Sequence, residues 1–176
     1  DESNDVPNPP GSYSTAGWIK DDKSVLIYDR YDIWRVDPDG AVAPVRLTLN
    51  GRETETVYRM IRLDRDQQDI SQADKLYLTG HNEITRNEGY YTITAAKPSV
   101  PQILMSGAFS LGTPVKSAEA NTVVFTRETF QVFPDLHITD IDFKRSVRIS
   151  DVNPQQKEFI WGSAEAGPFR GRRIIG

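Results

Sequence analysis

The chain has 176 residues, 38% of them hydrophobic and 26% charged, the composition of one globular domain with enough apolar side chains for a core. Its net charge of −4, with Lys and Arg interleaved among Asp and Glu, leaves no basic stripe and excludes a nucleic-acid backbone as partner. The absence of cysteine excludes disulfides, thiolate nucleophiles and cysteine metal sites, and no apolar run approaches the roughly 18–20 residues that cross a bilayer.

Residues 1–14 are rich in Asp, Asn, Ser and Pro, lack periodicity and read as an extended lead-in. The stretch from Trp18 to Thr48 then reads as one unit. A Trp enters from a loop, and a polar turn (20–24), a strand (25–29) and a second strand (32–37) follow; a short third strand ends in Arg46-Leu47-Thr48. Val25 and Ile27 on one parity and Leu26 and Tyr28 on the other make a nearly continuous apolar strand, which predicts cover on both faces. Asp37-Pro38-Asp39-Gly40 is a turn, because Pro fixes φ and Gly accepts a positive one.

A second unit starts near Glu55, with a strand over 56–64, a polar loop over 65–74 and a strand over 75–80 that matches 24–29. The run from Glu88 to Ala95 is the counterpart of that from Asp32 to Asp37, and 101–107 closes the unit as Val45–Gly51 closes the first. A third unit runs from Phe109, with a polar turn at 117–121 and strands over 122–126, 134–143 and 146–151. No segment reads as a convincing helix; the nearest, Thr113 to Ala120, contains Pro114.

Each matching strand lies about 50 residues after the last, and a period of that size with several short strands per copy is the mark of a β-propeller. The expected fold is therefore all-β: a partial propeller of about three four-stranded antiparallel blades over 15–54, 55–107 and 108–165, with a tail over 166–176. Propellers hold about four to eight blades. The chain is thus expected either to be a segment of a longer propeller or to assemble between molecules through its exposed end faces.

Few residues read as chemistry. Neither histidine has a recognisable nucleophile and carboxylate: His137 is placed mid-strand with an outward side chain, and His81 in a loop, solvated. Asp37, Asp39 and Gly40 resemble the start of a calcium loop, but its later oxygen ligands do not follow, and a β-turn accounts for them better. Asp140 and Asp142 flank Ile141 and could share a sheet face for acid–base work; a solvent-facing strand end is the preferred reading. Trp18, Trp34 and Trp161 are read as packing between sheets rather than as a binding platform. Arg30, Arg46, Arg59, Arg62 and Arg127 could line a channel and hold a peptide carboxylate, though salt bridges are preferred. Arg170, Arg172 and Arg173 form a solvated basic end. No catalytic, cofactor-binding or metal residue is assigned, and no cofactor is expected.

The stretches AGWIKDDKSVLIYDRYDIWRVDPDG, RLTLNGRE and PDLHITDIDFKRSVRISDVNPQQKEFIWGSAE together resemble the propeller domain of prolyl-oligopeptidase-like serine peptidases, in particular the long bacterial members. The resemblance spans about Pro7 to Glu165. It implies a blade segment that gates and binds peptide substrate for an α/β-hydrolase domain of the same full-length protein, with the catalytic serine, aspartate and histidine in that domain. The expectation is a partial chain that is not an enzyme on its own. No G-x-S-x-G elbow occurs, since Gly162-Ser163-Ala164-Glu165-Ala166-Gly167 has the wrong spacing. Dipeptidyl-peptidase relatives hold a substrate amino terminus with paired glutamates; no Glu-Glu pair occurs here, so no substrate-binding residue carries over. The same resemblance favours a periplasmic or secreted location. The alternative is a stand-alone propeller-like module that binds a protein, and a further rival is a metal- or carboxylate-dependent hydrolase built on Asp140, Asp142 and a histidine.

Overall fold

The computed structural model describes residues 11–64, 67 and 69–163. They form three antiparallel sheets in sequence order. The first joins β1 (Thr15–Ile19), β2 (Ser24–Tyr28), β3 (Ile33–Val36) and β4 (Val45–Arg46). The second joins β5 (Thr56–Ile61), β6 (Lys75–Asn82), β7 (Glu88–Thr94) and β8 (Gln102–Gly107). In the third, β9 (Ser110–Leu111) pairs with β11 (Thr122–Thr129), which lies within the order β10 (Val115–Lys116), β11, β12 (Val132–Asp140), β13 (Val147–Arg148). Each sheet is a blade of an all-β, partial propeller.

Cross-strand register fixes the equivalence of the blades. Ile27 opposes Trp34 in blade 1, Leu78 opposes Tyr91 in blade 2 and Phe125 opposes His137 in blade 3. Since facing residues project to the same side and neighbours along a strand to opposite sides, each blade has one face towards the blade before it and one towards the blade after it. Leu26, Ile33 and Leu47, all fully buried, meet Tyr58, Leu76, Leu78 and Ile93 across the blade 1–2 junction. Val123, Phe125 and Phe143 meet Tyr90, with Leu104 and Met105 beside it, across the blade 2–3 junction. Tyr90 lies edge-on to Phe125 at 5.5 Å.

Blades 1 and 2 are also stitched through their backbones. Ile70 N–H donates to Trp18 O and Lys20 N–H to Ile70 O at one edge; Leu49 N–H donates to Ser99 O and Ser99 N–H to Leu47 O at the other. Arg35 crosses the junction to donate to Ala95 O and Ala96 O. A polar loop thus contributes a buried isoleucine, Ile70, to the core.

Several expectations are corrected. Trp18 belongs to a strand, β1, not to a loop: the segment pairs with β2 from Thr15 to Ile19 across a bulge, with Trp18 opposite Val25. A one-turn helix, α1 (Gly51–Thr54), follows β4, ended by Glu55 in the left-handed region at φ 52°; four residues are too few for a helical period to be read from sequence. Val115–Lys116, inside the stretch nearest to a helix by sequence, is a strand. Only one face of β2 is covered, since Leu26 is buried while Val25 and Ile27 are half-exposed. Register sets Gly89, not Glu88, at the place of Asp32 in blade 1, because Tyr91 opposes Leu78 as Trp34 opposes Ile27. The expected tail and most of the lead-in lie outside the described residues.

Among the described residues, nothing covers the following face of the last blade. Val115, Val124, Ile138 and Val147 face one another in a row across its four strands. Leu136 and Ile149, the counterparts of fully buried Ile33 and Leu47, are 41% and 52% exposed.

Candidate functional site

Two kinds of site emerge: a buried polar closure repeated in blades 1 and 3, and a hollow between blades 2 and 3. In blade 1 the closure joins β3 to the segment after β4. Asp32, fully buried, accepts hydrogen bonds from Thr48 Oγ1 at 2.7 Å, Gly51 N at 3.0 Å and Arg52 N at 3.1 Å. Thr48 Oγ1 in turn accepts from Ile33 N at 2.9 Å. Arg46 Nη1 lies 3.5 Å from Asp32 and its other end pairs with Glu53 at 2.8 Å. Burial pushes the Asp32 carboxyl up, while Thr48, Arg52, Gly51 and Arg46 pull it down and only partly offset the loss of water. Gly51 is required here, because a Cβ would stand 2.4 Å from Asp32 Oδ1.

Blade 3 repeats the core of this closure, with one backbone donor in place of two. Asp135 accepts from Ser150 Oγ at 2.7 Å and Val152 N at 2.9 Å, Ser150 Oγ accepts from Leu136 N at 2.8 Å, and Arg148 lies 3.3 Å from the carboxylate. The Ser150 hydroxyl, with Val152 N–H and Arg148, holds the Asp135 carboxyl below the ordinary carboxylate range. Blade 2 has no room for the motif. At Gly89 a Cβ would come within 2.5 Å of Met105 O, and the neighbouring Glu88 instead accepts from Leu111 N at 2.7 Å, which ties blade 2 to blade 3.

Beside the blade 1 closure lies a second charged cluster. Asp29 accepts from Tyr31 N and Asp32 N and from Trp34 Nε1 at 3.1 Å, and pairs with Arg52. Burial opposes its charge, but these donors outweigh that and leave its carboxyl low. The guanidiniums of Arg30 and Arg52 lie 5.1 and 5.3 Å from the Tyr31 ring, whose hydroxyl donates to Glu83, the partner of Arg30. Arg59 donates to Tyr58 O, Asp29 O and Arg30 O and stacks over Tyr28 at 4.7 Å. It pins the β2–β3 connection of blade 1 onto blade 2.

The hollow lies where blades 2 and 3 meet. It encloses about 230 Å³, with an apolar lining from Met60, Ile61, Leu63, Ile70, Leu76, Tyr77 and Ile141 and a charged rim of Arg62, Asp64, Asp74, Lys75 and Lys116. That is below the roughly 300 Å³ where small-molecule pockets begin and matches one or two amino-acid side chains. Lys75 bridges the rim to blade 3 through Asp142 at 2.8 Å. Burial works against the Lys75 charge, but Asp142 outweighs it and keeps the ammonium above its ordinary range. The Lys75 ammonium likewise keeps the Asp142 carboxyl low.

The residues singled out by sequence do not converge. His137 is buried rather than outward: it stacks on Phe125 at 5.5 Å and its Nδ1 is 3.1 Å from Ser146 Oγ. Burial, with Arg127 nearby, pushes its pKa down. The register explains this, since Phe125 and His137 face each other towards blade 2. His81 sits in β6, not a loop, 3.7 Å from Glu88. Asp140 caps the turn after β12 by accepting from Asp142 N and Lys144 N. Asp140 and Asp142 are therefore engaged separately, and among the described residues no three His, Asp or Glu side chains cluster to hold a metal.

Asp37 accepts from Asp39 N and Val42 N, with Gly40 at φ 70°, as the β-turn reading expects. Trp18 and Trp34 lie on the face of blade 1 turned away from blade 2, and Trp161 meets Phe130 edge-on at 6.4 Å; none packs between described blades. Arg30 and Arg46 form the expected ion pairs, whereas Arg59 is spent on carbonyls and rings, Arg62 donates to Gln67 O and Arg127 lies over Phe109. Arg170, Arg172 and Arg173 lie outside the described residues.

Sequence reasoning missed the closures. Their signal is nevertheless present: Asp-Ile-Trp with Arg-Leu-Thr in blade 1 and Asp-Leu-His with Arg-Ile-Ser in blade 3 are the same two words, at nearly the same separation.

No protein-family model matches the chain, and no curated protein matches it. Among solved structures it is similar to a provisionally assigned TolB from Agrobacterium tumefaciens, with 20% identity and a TM-score of 0.45, over 81% of this chain and 50% of that one. The chain thus spans about half the length of that structure, and at this level the likeness transfers no property to it.

Proposed function

We propose that this chain is a non-catalytic set of propeller blades from a prolyl-oligopeptidase-like serine peptidase, where it gates and binds peptide substrate for an α/β-hydrolase domain. What carries the reading is where the resembling stretches fall. The YDRYDIW and RLTLNGRE stretches supply the two sides of the blade 1 closure, and the third stretch supplies the blade 3 closure from its residues Asp135 to Val152. The stretches that carry the resemblance thus include the residues that hold blades 1 and 3 shut. The hollow between blades 2 and 3 supports peptide as the ligand: its apolar floor fits a side chain, and Lys116 and Arg62 at the rim suit backbone carbonyls or a carboxylate.

The test is titration of the purified chain with a fluorescently labelled, proline-containing hexapeptide, followed by anisotropy. The reading predicts saturable binding, weakened about tenfold or more by Ile141→Asp and by the rim variant Lys116→Glu. Absence of saturation at millimolar peptide contradicts the binding role. Turnover of such a peptide that a serine-hydrolase inhibitor abolishes contradicts the non-catalytic one. A second reading, a stand-alone module that binds a protein, draws on the open apolar face of blade 3. It predicts that Leu136→Asp, far from the hollow, abolishes partner binding while peptide binding persists.

A further inference from the structure

We infer that the isolated chain closes its ring with a second copy of itself, head to tail, into a six-bladed propeller with twofold symmetry. The inference rests on the blade assignment alone and stands apart from the peptidase reading. Within a longer chain, additional blades would occupy the same two faces.

The chain makes blade-to-blade contacts internally, and each joins a following face to a preceding face. Across the first junction, Leu26, Ile33 and Leu47 are buried to 0% exposure by blade 2. Their counterparts by register in blade 3 are Val124, Leu136 and Ile149, and the latter two remain 41% and 52% exposed. This open surface therefore has a known cognate: the preceding face of a blade, such as Leu76, Leu78 and Ile93 present in blade 2. Among the described residues there is one unused surface of that kind. Val25, Ile27, Trp34 and Val36 of blade 1 occupy the places of Leu76, Leu78, Tyr91 and Ile93, and Trp18, facing Val25, is 45% exposed.

The two open ends are thus the two halves of a contact the fold already makes. Joining one molecule's blade 3 to another's blade 1 creates a heterologous interface, which either closes a ring or runs on as a filament. Two copies of three sheets give six, inside the roughly four to eight blades that propellers hold. Closure would leave no end face open and would take the apolar side chains of both faces out of water.

The absence of cysteine makes the test clean. Leu136→Cys and Ile27→Cys variants are prepared separately, shown by circular dichroism to be folded, and mixed with a short bis-maleimide that spans the roughly 10 Å between stacked sheets. The mixture should give a covalent dimer that neither variant gives alone, and the double variant should stop at a dimer. Cross-linking of Leu136→Cys to itself would show a symmetric end-to-end contact and overturn the proposal. A ladder of trimers and longer species from the double variant would show an open stack and overturn closure. Monomers throughout, with wild-type protein sedimenting at the mass of one chain, would overturn it altogether.

Discussion

Substituting Asp32 by Asn tests whether the polar closure holds blade 1 together. The carboxylate accepts from Thr48 Oγ1, Gly51 N and Arg52 N, and lies 3.5 Å from Arg46. Asparagine keeps one oxygen for Thr48 and Gly51 but turns an NH2 towards the Arg52 N–H and the Arg46 guanidinium, setting donor against donor. One hydrogen bond to a charged acceptor is lost, worth about 1.5–3 kcal/mol. Against this, removing the charge recovers part of the desolvation cost that pushes the Asp32 carboxyl up. The net loss should be about 2 kcal/mol, or roughly 4–8 °C in melting temperature for a chain of this size. Urea and thermal unfolding at pH 7, followed by far-ultraviolet circular dichroism, measure it. Thr48→Val in a double-mutant cycle should show coupling with Asp32→Asn, since the two side chains share a bond. A loss below about 0.5 kcal/mol, the ordinary scatter of surface substitutions, would refute the assignment of Asp32 as the centre of the closure.

Gly89→Ala should destabilise by about 1–3 kcal/mol in the same unfolding assay, because its Cβ would strike Met105 O and the Tyr91 ring; unchanged stability would mean that blade 2 has room for the carboxylate it lacks. Protonation of His137 should cost stability. Its folded pKa lies below the unfolded value of about 6.5, so the unfolded chain binds the proton more readily and stability falls as pH drops below about 6.5. A His137→Phe variant, which keeps the stack on Phe125, should melt at nearly the same temperature at pH 7.5 and 5.5, whereas the wild type should not. The carboxylates of Asp135 and Asp142 are held low, so their contribution is present above about pH 4 and is lost at more acid pH; a second decline there should survive in His137→Phe.

The blades themselves were legible because their signal is local and repeated. Short apolar runs mark β2, β6 and β11, and their spacing of about 50 residues gives the architecture. Strand β1 was hidden by Gly17, whose φ of 156° sits beside a bulge in the β1–β2 ladder, and by having a single fully buried apolar residue in its second half, Ile19. Ile70 was illegible for another reason: it is one apolar residue in a polar loop, and its burial comes from the Ile19 bridge contributed by another blade. The direction of His137 follows from which strand face meets blade 2, a long-range fact that alternation alone does not supply. The closures were legible in principle, because Asp-Ile-Trp…Arg-Leu-Thr and Asp-Leu-His…Arg-Ile-Ser repeat, but blade 2 breaks the pattern at Gly89 and conceals it from a three-way alignment. The hollow was not legible, since its lining comes from segments as distant as Met60 and Ile141.

Sedimentation velocity across a concentration series from one to several hundred micromolar tests the account most directly, because it asks whether the two open blade faces behave as surfaces made to be covered. A reversible, saturating shift to twice the 19.9 kDa chain mass, moved to higher concentration by Leu136→Asp and by Trp18→Asp, is the predicted result. A single chain at every concentration, unaffected by either substitution, would contradict it.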